Sequence, residues 1–461
     1  MPDNEKARLY KRIVQQTNEH TLLERMRIHG FWPAREGLPQ GPAEEAAERT
    51  RIEAELAELR KAHSAVKNPE KALADERKRR WEESKKRRAA NKAKREEEAK
   101  QRREAWAAVR QESVVHAGAG VSDRLHQTTS DVAELTRRHL PILHQSADVA
   151  KQLGIGLPAL RWLTYHRRGA TLVHYHRYSI AKKTGGARCI SAPKPALAKA
   201  QHWVLENILD RLDVDPAAHG FIRGCSIVSN AIPHANRGVV VNLDMKDFFP
   251  SITFRRVQGL FRKLGYSGHV ATLLALLCTE PPRIATELDG KVYHVALGER
   301  ILPQGACTSP AITNALCRRL DRRLDGLARK NGCAYTRYAD DLTFSGDDPG
   351  VVGHVLRNVR YILKGEGFVP HPNKTRVMQR ASRQEVTGVT VNVRPTLARQ
   401  EMRTLRAILH NAAKHGLESQ NRDGRPNFAA YLRGRVAFAC MVDPTRAEAL
   451  RAALALALRP V

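Results

Sequence analysis

Cysteine is scarce in this chain: seven in 461 residues, an odd number with no Cys-x-x-Cys pair. That argues against a disulfide framework and against a structural zinc site. Long apolar runs are missing too. The longest, such as Val270-Ala-Thr-Leu-Leu-Ala-Leu-Leu277, is too short to cross a bilayer and reads as a core helix. No signal peptide is recognised, so a cytoplasmic chain with no membrane partner is expected. Acidic charge is also short: 48 Asp plus Glu stand against 78 Lys plus Arg, a formal net charge of +30. Such an excess repels itself unless a polyanion is the working partner. The length sets a prior of about two to four domains.

What is present centres on Tyr338-Ala339-Asp340-Asp341, where β-forming residues meet a tight turn. Leu342 and Phe344 alternate with Thr343 and Ser345, the period-2 pattern of a half-buried strand. Adjacent anions repel, so folding gains nothing from the pair unless cations sit opposite. Two divalent ions clamping the attacking and leaving oxygens of a phosphoryl transfer meet that need. The plain alternative is an acidic pair capping a solvated hairpin. Upstream, Val239-Val240-Val241-Asn-Leu243 reads as a strand buried on both faces, ending in Asp244-Met-Lys-Asp247-Phe248-Phe249. Asp244 at that strand end can supply a third ligand, with the carbonyl of Met245 beside it. It can equally cap the turn that follows.

Strand-Asp244 with Phe-Phe, then Leu302-Pro-Gln-Gly305, then Tyr-Ala-Asp-Asp resembles the ordered motif set of reverse transcriptases, from about Val149 to about Asn392. Within that family the chain resembles bacterial retron enzymes. Asn230-Ala-Ile-Pro-His234 is similar to their Asn-Ala-x-x-His element and Val386-Thr387-Gly388 to their Val-Thr-Gly signature. Lys182-Lys183-Thr-Gly185-Gly186-Ala-Arg188 and Ala218-His219-Gly220-Phe221 read the same way. One departure is Cys307, where the family pattern leads one to expect Pro, which leaves the loop's stiffness open.

The resemblance implies roles. Asp244, Asp340 and Asp341, with Met245, would hold two magnesium ions, with manganese as an alternative. Phe249 would stack under the incoming sugar and exclude a ribose 2′-hydroxyl, selecting deoxynucleotides. Gln304 and Gly305 would line the nucleotide pocket, and Lys182 or Lys183 with Arg188 would grip the triphosphate. Lys374 would sit near the leaving pyrophosphate as a general acid. Asn230, His234, Val386, Thr387 and Gly388 would help hold RNA, although Asn230 and His234 can equally serve packing or a buried hydrogen bond.

Composition divides the chain into residues 1–64, a helical hairpin; 65–122, a charged helix or linker; 123–393, fingers and palm; and 394–461, a helical thumb. Apolar residues between Asn4 and Met26 suggest one or two helices, and Ile52, Leu56 and Leu59 a helix folding back on them. From Glu76 to Glu104 the chain is almost wholly charged, either a solvated helix held by i,i+4 pairs or disordered until it meets RNA. Ala117-Gly-Ala-Gly120 reads as a linker. Leu140 to Trp162 looks helical, Tyr175 to Ile190 a fingers hairpin, and Ala196 to Leu212 a helix. Near the end, Leu397, Met402, Leu405, Ile408 and Leu409 mark an apolar helix face, and Arg399, Arg403, Arg406 and Lys414 a basic one expected to track an RNA–DNA hybrid; Ala447 to Leu458 is a further helix.

The whole reads as an α+β right-hand polymerase with an α-helical N-terminal extension. The resemblance implies an enzyme of the bacterial cytoplasm that binds a cognate structured non-coding RNA and starts from a guanosine 2′-hydroxyl in it. It would make branched, RNA-linked single-stranded DNA for antiphage defence, with an accessory effector protein as a further partner. Alternatives are a reverse transcriptase of the group II intron or diversity-generating type, or an RNA–DNA scaffold that regulates an effector.

Overall fold

The computed structural model describes residue 8 and residues 19–33, 43–181 and 185–459. Two compact units make up the chain, Met1–Arg103 and Glu104–Val461. The first unit contains helices α1 (Glu19–Ile28) and α2 (Ala43–Lys67) and most of α3 (Pro69–Glu112). Residues 4–7 and 9–18 of the helices expected before Met26 lie outside the described residues. Ile52, Leu56 and Leu59 lie on α2 and are exposed, so that stripe covers no core among the described residues. Pro69 opens α3 where the missing N–H costs nothing. The charged stretch is thus helical over 44 residues with none buried. Arg80–Glu76 at 3.0 Å, Arg79–Glu83 at 4.0 Å and Lys92–Glu96 at 3.9 Å are i,i+4 pairs that take the place of a core. Each is worth a few tenths of a kcal/mol.

Ala117-Gly-Ala-Gly120 is no free linker: Val114, Ala117 and Val121 are buried, and the Ala117 carbonyl accepts from the His166 N–H at 2.7 Å. At Gly118, φ is +113° and a Cβ would stand 2.2 Å from the His166 carbonyl oxygen. Glycine is needed there for close approach, not for slack. The segment expected to be helical from Leu140 to Trp162 is broken. After the short helix α4 (Val132–Arg137), two short helices, α5 (Ser146–Leu153) and α6 (Leu157–Thr164), occupy the region, with Gly154 at φ +64° ending α5.

Strand β1 (Gly169–Ala170) precedes the hairpin of β2 (Tyr175–Ala181) and β3 (Ala187–Pro193), which lies where the fingers hairpin was expected. Helices α7 (Pro195–Asn207) and α8 (Ile227–Ala231) lead to β4 (Val239–Asp244). Next come α9 (Phe254–Lys263), the wholly buried α10 (Gly268–Cys278), and the hairpin β5 (Arg283–Leu288) with β6 (Lys291–Ala296). Then follow α11 (Thr308–Lys330), β7 (Ala334–Tyr338), β8 (Asp341–Gly346), α12 (Val352–Gly365) and β9 (Arg376–Gln379). A two-residue hairpin, β10 (Glu385–Val386) and β11 (Val389–Thr390), and helices α13 (Arg399–His415), α14 (Phe428–Val442) and α15 (Ala447–Ala457) complete the chain. Among the described residues no helix is long and apolar enough to cross a membrane.

One antiparallel sheet, ordered β7-β8-β4-β9, carries the site. Its two faces meet different cores because side chains alternate along a strand. Val239, Val241 and Leu243, with Leu342 and Phe344, face a core shared with α9, α10, α11 and α12. Val240 faces a second core of Val386, Val389, Leu397, Met402, Leu405 and Leu432. This second layer overturns the half-buried reading of β8: Thr343 and Ser345 are buried as well. The sheet is covered on both sides.

Candidate active site

The pairing of β4 with β8 sets Asp244 opposite Asp341, and the two-residue connection Ala339-Asp340 joins β7 to β8. Register alone therefore makes neighbours of three carboxylates drawn from distant parts of the chain. Ala339 adopts φ +57°, a left-handed conformation costly for a residue with a Cβ. Three contacts hold it. The buried Arg337 donates from Nη1 to the Ala339 carbonyl at 3.2 Å, and the Met245 N–H donates to the Asp340 carbonyl at 3.0 Å. Gly220 lies so close that a Cβ on it would be 2.5 Å from the Ala339 nitrogen. Arg337 is itself fixed by a two-pronged pair with Asp321, at 2.8 and 2.7 Å, and by Asn314 Oδ1 at 3.0 Å. Tyr335 Oη donates to the same Asp321 carboxylate at 2.9 Å.

The electrostatics follow from this crowding. Desolvation, then the charges of Asp340 and Asp244, push the Asp341 carboxyl up to about 7, although its strand end is exposed. Asp340 is raised by desolvation and by Asp244. The nearest relief is Lys374, whose Nζ donates to Asp244 Oδ2 at 2.9 Å. The loop carrying Lys374 is pinned to the end of β4, because the His371 N–H donates to the Asp244 carbonyl at 2.7 Å. Among the described residues no three ligating side chains are gathered tightly enough to hold a metal. The donor set nevertheless fits hard divalent cations: all oxygen, partly desolvated, and mutually repelling with one lysine to offset them.

A cleft of about 1010 Å³ opens beside these groups, lined by Asp244, Asp340, Lys374, Phe249, Gln304, Gly305 and Arg188. Asp341 instead faces a smaller hollow with Lys374, Arg376 and Thr387. The Phe249 ring, half-buried, lies 5.6 Å from Phe248 and 6.4 Å from Phe221. The Gln304 carbonyl accepts from the Ser191 N–H at 2.7 Å, joining this loop to β3. At Gly305, φ is +113° and a Cβ would stand 2.8 Å from Ile190 Cγ2, so glycine is required where the two segments touch. Lys182 and Lys183 lie outside the described residues. Cys307 keeps φ −65°, the value a proline ring imposes, so the backbone retains that conformation without it.

Three expected RNA contacts must be corrected. Asn230, His234 and Val386 are completely buried, so their side chains meet protein and not a ligand. His234 bridges Ser345 Oγ at 2.7 Å and Thr336 Oγ1 at 2.8 Å, tying β8 to β7 on the sheet's second face. Desolvation pushes its imidazole down to about 3, so it is neutral and donates from one nitrogen while accepting at the other. Asn230 Nδ2 reaches Thr387 Oγ1 at 3.4 Å across to the β10–β11 turn. In that turn Thr387 has φ +47° and the exposed Gly388 φ +86°. On α13, Arg399, Arg403 and Arg406 are exposed while Met402, Leu405 and Leu409 are buried, as the two-faced reading requires.

Sequence reasoning assigned no role to Arg337, Asp321, Gly220 and Phe221. A signal existed for Arg337: a charge inside a strand of β-formers has to be buried with a partner. The partner, on α11, could not be named without the fold.

Residues 180–391 match the family model described as reverse transcriptase (RNA-dependent DNA polymerase). The chain is 42% identical over 419 residues to the retron Mx162 reverse transcriptase of Myxococcus xanthus, covering 85% of this chain and 83% of that one. It is 45% identical over 326 residues to the retron Mx65 reverse transcriptase of the same organism, 71% and 75% of the two chains. To the retron Ec86 reverse transcriptase of Escherichia coli it is 32% identical, over 66% of this chain and 86% of that one. Likeness of this extent, spanning the carboxylate-bearing strands and the cleft, identifies the chain as a member of the retron reverse transcriptases and hence as an RNA-directed DNA polymerase.

Proposed function

We propose that this enzyme copies part of a cognate structured RNA into single-stranded DNA, starting from a guanosine 2′-hydroxyl of that RNA and leaving a branched product. The observation that carries the polymerase chemistry is the β4–β8 register, which places Asp244 against Asp341 with Asp340 in the adjoining turn. Those three side chains, with the Met245 carbonyl, would hold two magnesium or manganese ions. When bound, the ions supply activation of the attacking hydroxyl and neutralisation of the pyrophosphate. Lys374, hydrogen-bonded to Asp244, would hand a proton to the leaving group. Arg188, with Lys182 or Lys183, grips the triphosphate, Gln304 and Gly305 border the base and sugar, and Phe249 bars a 2′-hydroxyl. Residues 123–393 serve as fingers and palm and 394–461 as thumb, with Arg399, Arg403 and Arg406 toward the hybrid backbone. Thr387 and Gly388 offer the RNA a turn. In the cell the product serves antiphage defence together with an effector protein.

The test takes nucleic acid that co-purifies with the chain and asks whether an RNase-resistant 2′–5′ branch remains. A branched RNA–DNA molecule is expected, absent when Asp340 and Asp341 are both changed to Asn. Linear DNA alone refutes the priming scheme while leaving polymerase activity in place. In single-nucleotide incorporation, Phe249→Ala is expected to admit ribonucleotides at least about tenfold better, the loss of one steric exclusion. Unchanged sugar discrimination removes Phe249 from that role.

A further inference from the structure

Helix α3 has two unlike sides. At 3.6 residues per turn, Arg77, Lys85, Arg88, Lys92, Arg95 and Arg102 fall within an arc of about 100°. Every acidic residue from Asp75 to Glu98 falls outside that arc, with Glu96 at its border, 3.9 Å from Lys92. On the other side Arg79 and Arg80 both hold Glu76 and Arg79 also faces Glu83, while Lys78, Lys86, Arg87 and Lys94 make no ion pair among the described residues, so the two sides differ in where the acids lie. On the basic side, Arg77, Arg88 and Arg95 make no ion pair among the described residues. Trp81 lies in the same arc with its ring exposed, and Lys85 Nζ sits 5.1 Å over it.

Folding has no use for this segregation, since α3 buries no residue and stability would be better served by pairing every cation. The row spans about 38 Å at 1.5 Å per residue. A partner protein would need apolar surface to bury, and Trp81 is the one large apolar side chain between Arg77 and Arg102. A row of cations clear of interspersed acids, with Arg77, Arg88 and Arg95 making no ion pair among the described residues, beside an exposed indole suits a phosphate backbone with a base or ribose against the ring. We infer that this face of α3 is an RNA-binding surface, engaging the backbone of the RNA that the enzyme carries. The inference rests on the chain's being an RNA-copying enzyme, which fixes RNA as the polyanion.

The test compares two triple variants of the full chain that remove equal charge from opposite sides of α3. Arg77→Gln, Arg88→Gln and Arg95→Gln strip the basic face; Lys78→Gln, Lys86→Gln and Lys94→Gln strip the rest. Binding of a fluorescein-labelled RNA stem-loop is followed by anisotropy across a salt series, with circular dichroism to check that helix content is kept. The first triple is expected to weaken binding about tenfold or more and to make the slope of log affinity against log salt shallower by about 2. The second should change affinity less than about twofold. Equal losses would mean that only total charge matters, and no loss in either would mean that α3 is not in contact; both overturn the inference. Tighter binding of the matched DNA stem-loop would overturn its assignment to RNA. The Asp340→Asn, Asp341→Asn chain separates the two readings, because it loses synthesis without altering α3. If it also keeps the face-specific binding difference, the inference stands apart from catalysis.

Discussion

Arg337 and Asp341 show opposite ways in which a charge near the site is tolerated. Arg337 is buried with each guanidinium nitrogen engaged, so removing it strands the Asp321 carboxylate in the core. Arg337→Met is expected to cost about 3–5 kcal/mol in urea unfolding. Arg337→Met combined with Asp321→Leu should recover most of that stability and still incorporate nucleotides slowly, because the strained Ala339 turn has lost a tether. Recovery of stability together with full turnover would show that the tether is dispensable. Asp341 is the reverse case, a carboxyl raised to about 7 that makes no ion pair among the described residues, the charges of Lys374 and Arg376 only partly offsetting the rise. The metal-free folded chain therefore binds more protons at this group than the unfolded chain does between its ordinary value near 3.8 and about 7. Its contribution to stability falls as pH rises through that window. Asp341→Asn should raise the stability of the metal-free protein at about pH 8 and leave it unchanged near pH 4. The exposed strand end screens the charge, so the gain is set at about 1 kcal/mol. A thermal-melting series in a chelator checks both sign and window.

Among the elements, the palm sheet depends on what covers it. The Asn-Ala-x-x-His helix and the Val-Thr-Gly hairpin lie on its second face, where His234 clamps β7 to β8 and Asn230 reaches Thr387. His234→Ala leaves two buried hydroxyls without this partner and opens a void. The expected loss is about 2–4 kcal/mol at about pH 8, and it should shrink as pH falls through the ordinary histidine value of 6.5, because the unfolded wild-type chain then gains a proton that the buried neutral imidazole does not. A loss that grows as pH falls toward 6 would contradict the neutral bridge. These elements were legible as motifs, and the strand carrying Asp244 and the fingers hairpin were legible from apolar runs and turn glycines. Their spatial relation was not. Alternation in Leu342-Thr-Phe-Ser345 reads as one wet face only when nothing packs on Thr343 and Ser345, and that depends on His234, 111 residues upstream of Ser345, and on the second core that begins downstream at Val386.

For the whole molecule, the excess of cations and the crowding of carboxylates are complementary imbalances. The first needs a polyanion, the second divalent cations. Magnesium should therefore raise the melting temperature of the wild-type chain and not that of the Asp340→Asn, Asp341→Asn variant. The rise should grow from about pH 6 to about pH 8 as Asp341 gives up its proton to make room for metal. Equal shifts in both proteins would place the binding elsewhere. By itself the sequence determined the chemistry: three acids at strand ends, their ordered companions, and a charge balance suited to nucleic acid, since these depend on residue types and short spacings. Tertiary structure alone decided which charges could be left unpaired. Burial, the Arg337–Asp321 pair and the second layer over the sheet arise from segments far apart in the chain, and local periodicity carries no information about which distant segment will cover a face.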